Sequence, residues 1–214
     1  AVTNEISKIT KQFGDFATPI LFFSDSNNFR KKISPDYKGH RNRKKPCGYK
    51  RVIRNLRIQY EVIVMKTLEA DDAMGIYATA HPGNIIVSPD KDMRQIPGKL
   101  YNLTDTIYVT PEEGARWHLI QTLAGDQTDG YSGVPGIGVK RAETLFDKEG
   151  YSWQTVLQAF KDKGLTEKDA LLNARLARIL TLDDYDTKRQ EPILWTPENS
   201  LTIDDGTRLQ DASY

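Results

Sequence analysis

A chain of 214 residues that is 38% hydrophobic and 28% charged can bury a real core, and it reads as a soluble globular domain with an appended lobe. No apolar run reaches the roughly 18 to 20 residues of a membrane helix, and no signal-peptide pattern opens the sequence, so a cytoplasmic protein is expected. The single Cys47 excludes an internal disulfide framework, and His40, His81 and His118 lie far apart without cysteine pairs, which argues against zinc.

In chain order, Val2 to Gly14 places Ile6, Ile9 and Phe13 on one helical face, closed by Gly14. Pro19 to Ser24 reads as a strand ending in Asp25, which is expected to cap a helix over Ser26 to Lys32. Asn28 to Gly48 is polar and broken by Pro35, Gly39 and Pro46, the pattern of a mobile or partly helical arch. The net charge of +1 hides an asymmetry here: Arg30 to Arg57 holds twelve basic residues against the single acid Asp36. Such a block is often only a solvated face, but interleaved Tyr37, Gly39, Gly48 and Tyr49 favour attraction to phosphate.

Tyr49 to Leu56 reads as helix, Tyr60 to Met65 as strand, and Glu69 to Ala80 as helix. The β-branched run Asn84 to Ser88, bounded by Pro82-Gly83 and Pro89, has the look of a strand covered on both faces. Weaker strand candidates follow at Lys99 to Leu103 and Ile107 to Val109. The alternation implies an α/β fold with a largely parallel sheet. From Pro111 the pattern turns helical, first to Leu123, then Val139 to Phe146, Trp153 to Phe160, and Thr166 to Leu182, which starts on a capping box. The expected division is a catalytic core over 1–110 with its basic arch at 28–57, a helical part over 111–185, and a partly packed tail over 186–214.

Chemistry is suggested by acids that follow apolar runs. Asp90 and Asp92 stand two apart just beyond the Ile85 to Ser88 strand, where open α/β sheets collect function. Two such carboxylates can aim into one space, and a hard divalent cation between them removes the cost of their repulsion. Solvated turn residues are the bland alternative. The arrangement recurs, however, with Asp25, with Glu69, Asp71 and Asp72, and with Asp126 and Asp129. The glycines of 130–138 precede the basic helix at Val139, where backbone amides could approach a phosphate.

Taken together and in order, Phe-Ser-Asp25-Ser, Tyr37-Lys-Gly-His-Arg41, Lys45-Pro-Cys-Gly-Tyr49, Glu69-Ala-Asp-Asp72, Ser88-Pro-Asp-Lys-Asp92 and Gly125-Asp-Gln-Thr-Asp-Gly130 running into Gly136-Ile-Gly-Val-Lys-Arg141 resemble the 5′ nuclease family of flap endonucleases and 5′→3′ exonucleases, above all its phage members. The resemblance implies a PIN-like α/β core with a helix-hairpin-helix in the helical part. It also implies Mg²⁺-dependent hydrolysis of DNA phosphodiesters by two ions, with Mn²⁺ able to substitute. Asp25, Glu69, Asp71 and Asp72 would serve one ion, and Asp90, Asp92, Asp126 and Asp129 the other, with Asp90 and Asp92 central to catalysis. Lys38 and Arg41 would meet the scissile phosphate, and Tyr37 would stack on a base. Arg43, Lys44, Lys45, Gly133, Gly136, Gly138, Lys140 and Arg141 would grip DNA, with a K⁺ ion often held at the hairpin. The implied partner is DNA with 5′ ends or flaps, RNA–DNA hybrids being open, and the expected state is a monomer.

The family opens with an interior strand that ends in another metal-binding Asp, whereas Ala1 begins on what looks like the following helix. Unpaired strand edges are therefore expected in the sheet. Two alternatives follow: a DNA-binding module of this fold with impaired catalysis, and a PIN-type ribonuclease, against which the glycine-rich hairpin and long basic arch argue.

Overall fold

The structure is a computed structural model that describes residues 2–40 and 45–199. Strand β1 (Ile20–Phe22) runs parallel to β2 (Glu61–Ile63), and β3 (Ile85–Val87) runs parallel to β4 (Gly98–Tyr101). The alternation of strands and helices read from the sequence is therefore present. Strand β5 (Thr106–Val109) is antiparallel to β4. Its connection is only residues 102–105, too short for a parallel crossover. The Asn102 side chain closes that turn by accepting from the amides of Thr104 and Asp105.

The strands form two ladders, β1-β2 and β3-β4-β5, instead of one continuous sheet. Between β1 and β3 lies a mainly apolar cavity of about 430 Å³. Ile6 and Ile9 of α1 (Val2–Gln12) line one side, and Met74, Tyr77 and Ala78 of α4 (Ala70–Ala80) line another.

Two short helices join β1 to β2. The first, α2 (Arg30–Ile33), follows an Asx turn in which the Asn28 carboxamide accepts from the Arg30 amide at 2.9 Å; its N-cap is Phe29, with no side-chain cap, and not Asp25. The second, α3 (Tyr49–Gln59), carries exposed Lys50, Arg51, Arg54 and Arg57. Arg41, Arg43 and Lys44 lie outside the described residues.

The helical part comprises α5 (Pro111–Ala124), α6 (Val139–Glu149), α7 (Trp153–Lys161) and α8 (Glu167–Ala177). Leu119, Leu123, Val134, Phe146, Val156 and Phe160 form its core. Helix α5 lies against the 3₁₀ turn Lys91–Gln95, where a Cβ on Gly114 would overlap the Gln95 carbonyl. Helix α8 ends earlier than its apolar pattern suggested. The amides of Ile179 and Leu180 donate to Gln95 Oε1 and Asp72 Oδ1, drawing them out of the helix ladder. The tail is better packed than expected as far as Asn199: β6 (Tyr185–Asp186) pairs with β7 (Glu191–Pro192), and Trp195 is buried against His118 and Trp153. Among the described residues no helix is long and apolar enough to cross a membrane.

One buried ion pair joins these parts. Arg30 of α2 donates both terminal nitrogens to Asp72 of α4, at 2.6 and 2.7 Å, and neither side chain is more than 1% exposed. The guanidinium also reaches the carbonyls of Leu176 and Arg178, while Asp72 accepts from the Glu69 and Leu180 amides. Every strong donor and acceptor is satisfied, the condition under which a buried pair persists. Substituting Asp72→Asn leaves the guanidinium charged in the core and should cost about 3–5 kcal/mol of stability. Urea unfolding checks this; an unchanged midpoint would refute the tie.

Candidate active site

Beyond the carboxyl ends of β2 and β3 opens a polar cleft of about 440 Å³, the location expected for function in an α/β sheet. Glu69, Asp71, Asp90, Asp92, Asp126 and Asp129 line it, together with Tyr37, Lys38, Lys91, Gln127, Thr128 and Tyr131. Six of the eight acids singled out from sequence therefore meet here.

Local structure presents each one. Glu69 and Asp71 stand at the start of α4, and Asp90 caps the 3₁₀ turn by accepting from the Asp92 amide at 3.0 Å. Asp126 closes its own loop, accepting from the Thr128 amide at 2.7 Å and hydroxyl at 2.6 Å. Asp92 is held by Gln121 of α5, whose Nε2 donates to it at 2.5 Å, and Gln121 in turn accepts from Gln95 at 2.6 Å. Sequence reasoning missed this relay. The available signal was a glutamine inside the apolar stretch His118 to Leu123.

Asp25 and Asp72 are not in the cleft wall. Asp25 accepts from the Thr67 amide at 2.8 Å, which holds its carboxyl below the usual range. That contact fastens the end of β1 to the loop before α4. Asp72 is occupied by Arg30 in the core, so its assignment as a metal ligand is corrected.

Tyr37 is corrected as well. Its ring is 2% exposed, packed with Tyr131, Leu176 and Ala177, and cannot stack on a base as placed. Its hydroxyl instead reaches Glu69 Oε2 at 2.9 Å and Asp129 Oδ2 at 3.0 Å. Next to it Lys38 adopts a left-handed backbone, φ 55°, and its amide donates to the Asp129 carbonyl at 2.8 Å. The Lys38 ammonium lies 2.5 Å from Glu69 and 3.3 Å from Asp129. Gly130 permits the approach of this turn, since a Cβ there would stand 2.9 Å from the Asp36 carbonyl.

Of the residues assigned to DNA in the glycine-rich segment, Gly133 is buried, and its amide donates to Asn173 at 2.9 Å. A Cβ there would strike the backbone of Leu123 and Gly125, so this glycine serves packing. Gly136, Gly138, Lys140 and Arg141 are exposed. The Arg141 guanidinium donates to the Gly136 carbonyl at 2.7 Å. Lys45 is exposed, its ammonium 4.5 Å from the Tyr49 ring centre.

Electrostatics divide the six cleft acids. Burial, then the neighbouring Asp90, Asp72 and Glu69, push the Asp71 carboxyl up to about 7. Burial, then Asp90, push Asp92 up to about 6. Burial alone would raise Glu69 too, but Arg30 and Lys38 outweigh it and hold Glu69 below its usual value. The cleft thus carries more negative charge than its own cations neutralise. Among the described residues, no three acidic, histidine or cysteine side chains stand where they could share one ion as placed; the Lys38 ammonium lies between Glu69 and Asp129.

Residues 1–115 match a family model described as 5′-3′ exonuclease, N-terminal resolvase-like domain. An exodeoxyribonuclease of Enterobacteria phage T3 is 33% identical, the match covering 84% of this chain and 74% of the phage protein. The chain belongs to the 5′-3′ exonuclease family. An exonuclease of Escherichia phage T7 is likewise 33% identical, over 83% of this chain and 73% of that one. Among solved structures, a metal-bound bacteriophage T5 5′-exonuclease aligns with a TM-score of 0.60 at 16% identity, covering 82% of this chain and 79% of its own. A DNA complex of the Rad2 catalytic core reaches 0.52 at 14% identity, over 75% and 56%. These two likenesses speak for the fold.

In this exonuclease chain the raised Asp71 carboxyl has a consequence for stability. Between about pH 4 and pH 7 the unfolded chain ionises Asp71 while the folded protein keeps it protonated, so the contribution of Asp71 to stability falls as pH rises through that window. Asp71→Asn should therefore melt above the wild type at pH 8 in EDTA, by about 2–4 °C per kcal/mol of relieved repulsion. The advantage should shrink toward pH 5. A scan at both pH values checks it, and an equal difference at each would contradict the assignment.

Proposed function

We propose that the acidic cleft holds two divalent cations, Mg²⁺ with Mn²⁺ as a substitute, and that the protein hydrolyses DNA from 5′ ends and at 5′ flaps. The single observation behind this is the gathering of six carboxylates in one cleft, with Asp71 and Asp92 pushed up by burial and by each other's neighbours. An all-oxygen donor set of that density suits hard divalent ions. Glu69 and Asp71 would hold one, and Asp90, Asp92, Asp126 and Asp129 the other. When bound, such ions polarise a phosphoryl oxygen and lower the pKa of an attacking water.

The chain's own residues supply the remainder. Lys38 stands at the cleft and can turn its ammonium to the scissile phosphate, offsetting the charge that develops there. Arg41, by its sequence position, would join it. Lys45 and the exposed bases of α3 form a basic approach that attracts backbone phosphate without reading sequence, and Arg43 and Lys44, by their sequence position, would add to it. Gly136, Gly138, Lys140 and Arg141 offer a second backbone contact at the start of α6, about where a helix N-terminus favours phosphate. A K⁺ ion at the hairpin would compete with the Arg141 guanidinium, which donates to the Gly136 carbonyl.

The family membership and the phage relatives support exonuclease action, and a bacteriophage T5 flap endonuclease of similar fold is described in complex with DNA and metal ions. The test uses 5′-labelled duplex and flap DNA with Mg²⁺. Cleavage near the 5′ end is expected, with Asp90→Asn or EDTA abolishing it while the circular dichroism spectrum is unchanged. Full activity in Asp90→Asn would overturn the site. Salt-sensitive binding with no turnover under either metal would leave a DNA-binding module instead.

A further inference from the structure

We infer that Tyr37 is a positioning residue that holds Glu69 and Asp129 together, so that the two halves of the cleft are preassembled before a cation enters. The inference rests on the proposed metal site.

Glu69 and Asp129 belong to different parts of the protein. Glu69 precedes α4 in the α/β part, whereas Asp129 sits in the loop leaving α5 in the helical part. Two carboxylates brought close repel one another, and some group must offset that. The Lys38 ammonium offsets the charge, 2.5 Å from Glu69 Oε1 and 3.3 Å from Asp129 Oδ2, and the Tyr37 hydroxyl adds one proton shared between Glu69 Oε2 and Asp129 Oδ2, at 2.9 and 3.0 Å. A tyrosine hydroxyl is protonated, and so a donor, across the physiological range.

The tyrosine is itself fixed. Its ring is wedged beside Tyr131, Leu176 and Ala177. Its amide donates to the Ser34 carbonyl at 3.1 Å, and the following amide, of Lys38, donates to the Asp129 carbonyl at 2.8 Å. Ring, backbone and hydroxyl thus fasten the base of the basic segment to the loop that carries Asp126 and Asp129. A residue that touched only substrate would show none of these ties.

The test is Tyr37→Phe, which keeps the buried ring and removes only the donor. Mn²⁺ titration of EDTA-stripped protein, followed calorimetrically without DNA, should give about tenfold weaker binding, the scale of one hydrogen bond to charged groups. Turnover should need correspondingly more metal yet recover at saturation, with the KM for DNA unchanged. In a Glu69→Gln background the effect of Tyr37→Phe should largely vanish, because the pair acts as a unit. Mn²⁺ affinity within twofold of the wild type, or an undiminished effect in the Glu69→Gln background, would overturn the role and leave Tyr37 as a core ring. A wild-type protein that binds no Mn²⁺ would overturn the metal site as well, which separates the two failures.

Discussion

The contact between Arg30 and Asp72 is the constraint on which the site depends. A charge pair buried this completely is held only if both partners are saturated with hydrogen bonds, and here the carbonyls of Leu176 and Arg178 and the amides of Glu69 and Leu180 complete the set. The pair therefore fixes four pieces of chain at once: α2, the start of α4, the end of α8 and the segment after it. Glu69 and Asp71 flank Asp72 on the same helix start, so their direction into the cleft follows from its direction into the core.

Around that anchor the acids divide into those with internal partners and those without enough. Asp25 and Asp72 answer to amides and to a guanidinium, and they organise the backbone. Asp71 and Asp92 face the cleft, where burial and other carboxylates raise their proton affinity. Glu69 belongs to both groups, sharing Arg30, Lys38 and Tyr37. An unfavourable concentration of charge of this kind is stored at a functional site and tolerated because the surrounding packing leaves it no way to disperse.

Much of this was legible in the sequence, for identifiable reasons. Short β-branched runs, proline at the first turn of α5 and the capping boxes at Thr110 and Thr166 act locally, and their elements appear where they were expected. The acids that follow β2 and β3 were found because a strand end dictates what lies beyond it. What escaped was the direction of side chains one residue apart. Asp71 and Asp72 look alike in a first turn, but a helix advances about 100° per residue, and only Asp72 falls on the stripe of Gly75 and Ile76 that faces the core. That phase was readable. The burial of Arg30 and Tyr37 was not, since both sit in a basic, glycine-containing stretch whose composition signals solvent, and their partners are 42 and 92 residues away. The antiparallel β5 likewise arises from a short chain connection that propensity does not encode.

The basic segment is therefore two things in sequence. In its first part Arg30 and Tyr37 are core and Lys38 is cleft wall, while Lys31, Lys32 and the bases from Lys45 onward are exposed. A segment built this way couples its ends: whatever phosphate attracts the exposed bases is drawn over a turn whose own backbone is bonded to the Asp129 loop. The Lys38 ammonium, balanced by Glu69 and Asp129, is the group best placed to respond. On the proposed metal site, a cation held by those carboxylates would compete with the Lys38 ammonium for them, by charge balance alone.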